Sequence, residues 1–264
     1  MDPVLRVALA FLLFAATHIG LAWPPVRQPL AARLGRWGFT LFFSLVAWLS
    51  FGVALSTYAT HAQAGPPGLA LGAHAAVRVL LVAAIAVGSM LMSGSFAGYA
   101  RSPYGALGER VREPRGLERV TRHPFFFGFS LFAASHALLA TRLVGAVAMG
   151  SLALFALLGA WFQDRKLLAL RGEPYAAYLA ASSTVPFVAI AAGRQRLVTS
   201  ELPYVMLLLG LVLAWLLRAV HAHLFDHGGL YVIAAFVIGP LLILLGEWRR
   251  DRRMRRSASP VGVG

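Results

Sequence analysis

Two histidines sit in nearly matching settings inside apolar stretches: His18 in A-A-T-H-I-G-L-A and His136 in A-A-S-H-A-L-L-A. A hydroxyl residue precedes each, and small residues around it let a second helix or a flat macrocycle approach closely. An ionisable group in a long apolar run is expensive, so it marks a functional position by default. Two neutral imidazoles from different helices are a standard way to hold a haem iron. The competing reading is a pair of buried histidines bonded to nearby backbone or hydroxyl groups. His74 is a rival second ligand, because antiparallel packing can bring it to the depth of His136; its other reading is a residue at the bilayer interface. His221 and His223 are two apart and point to different faces of a helix, so at most one faces a site, and interfacial placement is their default. Arg78 and Arg218 either snorkel or pair with a carboxylate of a bound group.

A second constellation is T-R-H-P-F-F-F-G, residues 121–128. Pro124 suits the first turn of a helix, where its fixed φ and missing N–H cost nothing. Arg122 and His123 therefore stand at a helix N-terminus, where dipole and side-chain charge favour an anion such as a haem propionate, a phosphate or a cofactor carboxylate. A solvated basic boundary is the alternative. His123 cannot share a metal with His136, because thirteen residues of helix span roughly 20 Å. Arg194, in G-R-Q, offers further donors for an acidic group, or for lipid headgroups.

The elements that must carry these residues are membrane helices. The chain has 264 residues, 59% hydrophobic and only 13% charged, where soluble domains run to about 25% charged. Apolar runs approach the roughly 20 residues that cross a bilayer. We expect an all-α polytopic bundle of about seven spans: near Val4–Trp23, Trp37–Leu55, Leu69–Met92, Pro124–Ala140, Leu143–Phe162, Tyr204–Leu224 and Leu230–Trp248. A polar stretch opens at Gln163 and lasts to Ser200; within it, Asp164 to Gln195 reads as an amphipathic helix on the cytoplasmic surface. Lys and Arg gather in alternate loops, which places the N-terminus outside and the C-terminus in the cytoplasm, and explains the net charge of +14 without nucleic acid. Residues 1–200 read as one membrane domain, and 201–264 as two further spans with a basic tail. No internal repeat supports a transporter. The absence of cysteine excludes disulfides and thiolate ligation of a metal.

Taken together, His18 with its small neighbours, R-x-G-R-W-G-F-T-L-F-F-S-L from Arg33, T-R-H-P-x-x-x-G, S-H-A-L-L, D-R-K at 164–166, G-E-P-Y, and S-S-T-V-P-F-V-A-I-A-A-G-R-Q resemble the NnrU family over roughly residues 5–200. That family includes the plant 15-cis-zeta-carotene isomerases. The resemblance implies a haem b held between two histidines, which fall by position on His18 and His136, and a redox-dependent cis–trans isomerisation of a polyene. A haem-based electron carrier or nitrogen-oxide sensor linked to denitrification is the non-enzymatic form of the same expectation. The cysteine near the second histidine of the plant enzyme has no counterpart here.

R-H-P-x-x-x-G, G-E-P-Y-x-x-Y and V-P-F are also similar to the isoprenylcysteine and phospholipid methyltransferases. This second resemblance implies S-adenosylmethionine near Arg122-His123, although Asp164-Arg165 replaces the paired glutamates usual in that group. The expected protein is therefore an integral membrane haem b protein, placed in a bacterial inner membrane, that meets a lipophilic or gaseous small molecule. A membrane methyltransferase is the alternative.

Overall fold

Asp2 caps the first helix, its carboxylate accepting from the Leu5 N–H at 3.0 Å, and Pro3 fills the first turn. The structure is a computed structural model that describes residues 1–98, 102–103 and 111–224, with single residues 227, 230, 231, 234, 238, 245 and 249 beyond (the side chain of Arg36 excepted). Its helices are α1 (Pro3–Ala22), α2 (Pro24–His61), α3 (Ala75–Gly98), α4 (Leu117–Val120), α5 (Pro124–Leu139), α6 (Leu143–Arg171), α7 (Glu173–Ala181), α8 (Val188–Ala191) and α9 (Tyr204–Ala219). Among the described residues there is no strand, only an isolated bridge between Pro67 and Arg142. The fold is all-α, as expected.

Four helices are long and apolar enough to cross a membrane: Pro3–Ala22, Trp37–His61, Ala75–Gly98 and Leu143–Arg171. Helices α5 and α9 are apolar but have 16 residues each, about 24 Å against a hydrocarbon core of about 30 Å. The seventh expected span, near 230–248, and the basic tail fall largely outside the described residues.

Several expected boundaries shift for local reasons. The third span does not begin at Leu69. Ala70 takes a left-handed conformation (φ 47°), Leu71–Ala73 forms a 3-10 turn, and His74 lies between that turn and α3. The fifth span does not end at Phe162, because nothing between Gln163 and Arg171 interrupts α6; Gly172, at φ 56°, stops it. The stretch 164–195 is therefore not one amphipathic helix. It is the end of α6, then α7, a turn in which Phe187 is left-handed (φ 65°), and the single turn α8. The sixth span ends at Ala219, and His221–His223 form a 3-10 turn.

Glycines set the helix contacts. α5 crosses α3 at Gly128 and Gly88, and α9 closes on α3 at Gly210, where a Cβ would meet the Ser89 carbonyl at 2.5 Å. Helix α9 is thus packed directly against α3. The main apolar core joins Val7, Phe11 and Phe14 of α1 to Phe51 and Leu55 of α2, Ala133 of α5 and Val144 and Leu152 of α6.

Candidate functional site

His18 ends up in an aromatic box. Its ring lies 5.5 Å from that of Phe14, 4.8 Å from Phe43 and 5.2 Å from Phe155, centroid to centroid. Its Nδ1 is buried with no hydrogen-bond partner among the described residues. His136, one turn from the end of α5, donates from Nδ1 to the Phe132 carbonyl at 2.9 Å. This bond fixes the tautomer and leaves Nε2 with a free lone pair, the form in which imidazole binds metals. The His136 ring lies parallel to that of His221, with centroids 6.2 Å apart and planes 10° apart.

The structure does not bring His18 and His136 together. Ser130 donates to the Ala153 carbonyl at 3.2 Å, which fixes the register of α5 on α6. At 1.5 Å per residue, His136 lies about 9 Å to one side of that level. Phe155, against which His18 packs, lies about 3 Å to the other side. Counted along the helix axes, the two histidines are thus offset by about 12 Å at backbone level. His136 offers a ring nitrogen to a metal, and no contact joins it to His18 among the described residues. His74 is exposed, and no contact joins it to His136 among the described residues. Arg78 donates to the Gly72 carbonyl at 3.3 Å and so closes the 3-10 turn. Among the described residues, no cluster of three or more His, Cys, Asp or Glu is placed to hold a metal ion.

The other predicted residues converge, but on a protein group. Asp164 accepts from Arg122 Nε at 2.9 Å on one oxygen; on the other it meets His123 Nε2 at 2.8 Å and the Tyr175 hydroxyl at 2.6 Å. Arg194 donates to the carbonyls of Ala180 (2.6 Å) and Ser182 (3.1 Å), and the Arg122 N–H donates to the Ser183 carbonyl at 2.8 Å. Thr121 seals the same seam through its hydroxyl and the Thr184 carbonyl, 2.6 Å away. His123, Thr121, Tyr175 and Ser182 are almost fully buried. Gly172 makes this possible: its positive φ reverses the chain after α6, so that Tyr175 in G-E-P-Y swings back beneath Asp164.

Asp164 is the residue the sequence reading left without a role. The signal was present: an acid in an Arg- and Lys-rich setting, following a long apolar run, needs a buried cationic partner. Beside this knot, Glu118 binds Arg112 through both oxygens (2.7 and 3.1 Å), and desolvation raises its carboxyl above the ordinary value. Glu201 accepts from Arg119 and from the Gly116 N–H, and these bonds lower its carboxyl to about 2.

Comparison with known proteins gives the same sequence a family context. The family model described as NnrU protein matches residues 6–227. The 15-cis-zeta-carotene isomerase of Zea mays is 38% identical over 104 residues, 36% of this chain and 28% of that protein. The same enzyme of Arabidopsis thaliana is 38% identical over 80 residues, 30% of this chain and 22% of that protein. The matched stretches thus span about a quarter of these curated relatives. No solved structure matches significantly.

Proposed function

The chain belongs to the NnrU family, and from that premise we propose that it is a membrane cis–trans isomerase of an extended apolar polyene, with haem b as its cofactor. The observation that carries this reading is the 38% identity to two proteins named as 15-cis-zeta-carotene isomerases. His136 supports the cofactor: its Nδ1 is held by a backbone carbonyl and its Nε2 has no hydrogen-bond partner among the described residues, on a helix without another ionisable side chain. Haem b would supply a redox-sensitive iron.

The chain's own residues divide the work by depth. Near one end of α5, His136 presents a metal-binding nitrogen. At the other, about 20 Å away, the Asp164 knot holds α5, α6 and α7 in register and keeps Arg122 and His123 paired. Arg122, His123 and Arg194, expected to meet propionates, are engaged by protein groups on that side. Methyl transfer from S-adenosylmethionine bound at Arg122-His123 is less well supported, because Asp164 engages both side chains. A role in nitrogen-oxide metabolism would use the same haem.

The test is direct. The detergent-purified protein is incubated with 15-cis-zeta-carotene, oxidised and then reduced, and the isomers are separated by chromatography. The expected outcome is loss of the 15-cis isomer in one redox state only, with no change in mass. No conversion in either state, by a protein shown to carry haem, would overturn the enzymatic reading.

A further inference from the structure

We propose that the outward face of α2 seats one acyl chain of an anionic phospholipid, with the phosphate of its headgroup against Arg6. Two open grooves run into one another there. The larger, of about 580 Å³, is lined by the apolar side chains of Leu45, Trp48, Leu49 and Val53, with Gly52 between them. The smaller, of about 380 Å³, lies between the start of α1 and the end of α2 and is lined mostly by polar residues, among them Arg6, Thr60 and His61. Ser56 and Thr57 line both. A molecule that follows the whole groove must therefore be apolar along one part and polar at its end.

Length and charge narrow the occupant. Leu45 and Val53 are about 12 Å apart along the helix, and one leaflet of a bilayer holds about 15 Å of hydrocarbon. The apolar part thus matches one chain of one leaflet, and the turns that follow place Ser56, Thr57 and Thr60 where such a chain meets its headgroup. Gly52 keeps the apolar part open: outside its own stretch of helix, no heavy atom lies within 4 Å of the place its Cβ would take. The polar end has a cation and no acid, because Arg6 lines it and no Asp or Glu does. Asp2, one turn before Arg6, commits its carboxylate to the Leu5 N–H. Among the described residues, no ion pair engages Arg6. His61 is fixed beside it, with Nδ1 bonded to the Thr57 carbonyl at 2.8 Å. A guanidinium at the end of an apolar run is suited to a phosphate, which it meets with charge-assisted hydrogen bonds.

Native mass spectrometry of the full chain, released from detergent with equal amounts of phosphatidylglycerol and phosphatidylcholine of the same chain length, tests the site. Wild type is expected to retain phosphatidylglycerol in preference to phosphatidylcholine. Arg6→Gln should weaken that retention about fivefold, the effect of one basic residue on an anionic headgroup. Gly52→Leu, whose Cβ meets nothing, should weaken it as much by filling the apolar part. Arg165→Gln, which removes a guanidinium stacked over Trp161 near the C-terminal end of α6, should keep the wild-type value and so controls for general attraction to basic residues. Equal retention by wild type, Arg6→Gln and Gly52→Leu would overturn the site. Loss in Arg6→Gln with none in Gly52→Leu would overturn the seating of a chain, and displacement of the lipid by inorganic phosphate would do the same. A dimer abolished by Gly52→Leu, with no lipid bound, would assign the face to a second copy instead. Size-exclusion profiles matching wild type show that each variant is folded.

Discussion

Gly88 and Gly128 face each other so closely that a Cβ on Gly88 would lie 2.6 Å from the Gly128 carbonyl oxygen, and one on Gly128 2.7 Å from that of Gly88. Backbone meets backbone at this crossing, and no side chain can give way. Gly128→Ala must push α5 off α3, at a cost of about 1–3 kcal/mol. Gly150, on α6, has open space where its Cβ would be. Gly150→Ala should leave stability unchanged or raise it by up to about 1 kcal/mol, through helix propensity. Thermal unfolding in one detergent compares the two; equal effects would show that the crossing is not tight.

Asp164 carries the polar knot. Asp164→Ala leaves a guanidinium and a buried imidazole without their acceptor and should cost about 3–5 kcal/mol, as for other buried pairs broken from one side. Tyr175→Phe removes one hydrogen bond and keeps the ring, so its cost should be about 1 kcal/mol. In the Asp164→Ala background the Tyr175→Phe change should cost less than it does alone, because the acceptor is already gone. Unchanged additivity in this double-mutant cycle would refute the shared carboxylate.

His18 buries a ring nitrogen that no described group satisfies. An unmet buried polar atom costs about 1–3 kcal/mol, and the surrounding phenyl rings would accept another. His18→Phe should therefore match or exceed wild type in melting temperature. A variant markedly less stable than wild type would mean that the nitrogen has a partner in the membrane.

Glu201 ties the loop before α9 to Arg119 and Gly116 and titrates at about 2, against an ordinary value of 4.5. A carboxylate lowered in the folded state adds stability that is complete above 4.5 and disappears as the pH falls through about 2. Glu201 is exposed, so the whole contribution is about 0–1 kcal/mol. Glu201→Gln should thus melt slightly below wild type near neutral pH, and the gap should close as the pH falls through that window. A gap that stays constant with pH would assign the effect to something other than this carboxylate.

The helices were legible because hydropathy alone marks them: α1 and α5 begin and end within two residues of their expected bounds. What the sequence hid lay where backbone conformation decides. Left-handed Ala70 delays α3, left-handed Phe187 splits the 164–195 stretch, and Gly172 ends the supposed surface helix and turns the chain back, as α7, beneath Asp164. The basic motif Arg122-His123 was read as open to an anion because its acid lies forty-odd residues away, with a full helix between them. The histidines were matched by their similar settings, and similar settings do not fix depth. Register does, and register comes from contacts such as Ser130 with Ala153 that no local pattern encodes.

Residues 66–70 lie along the turn between α5 and α6, joined to it by three backbone hydrogen bonds: Leu143 to Pro66, Gly68 to Thr141 and Ala70 to Ala140, each 2.9–3.0 Å. Such a strap uses no side chain, so it is indifferent to most substitutions along it. Gly68 is the exception, because the backbone of Ala140 and Arg142 occupies the place its Cβ would take. A saturation scan of this region would therefore record a run of tolerant positions around one that accepts nothing else. That pattern would look like neglect of the loop, although the loop is what keeps the His136 end of the bundle closed.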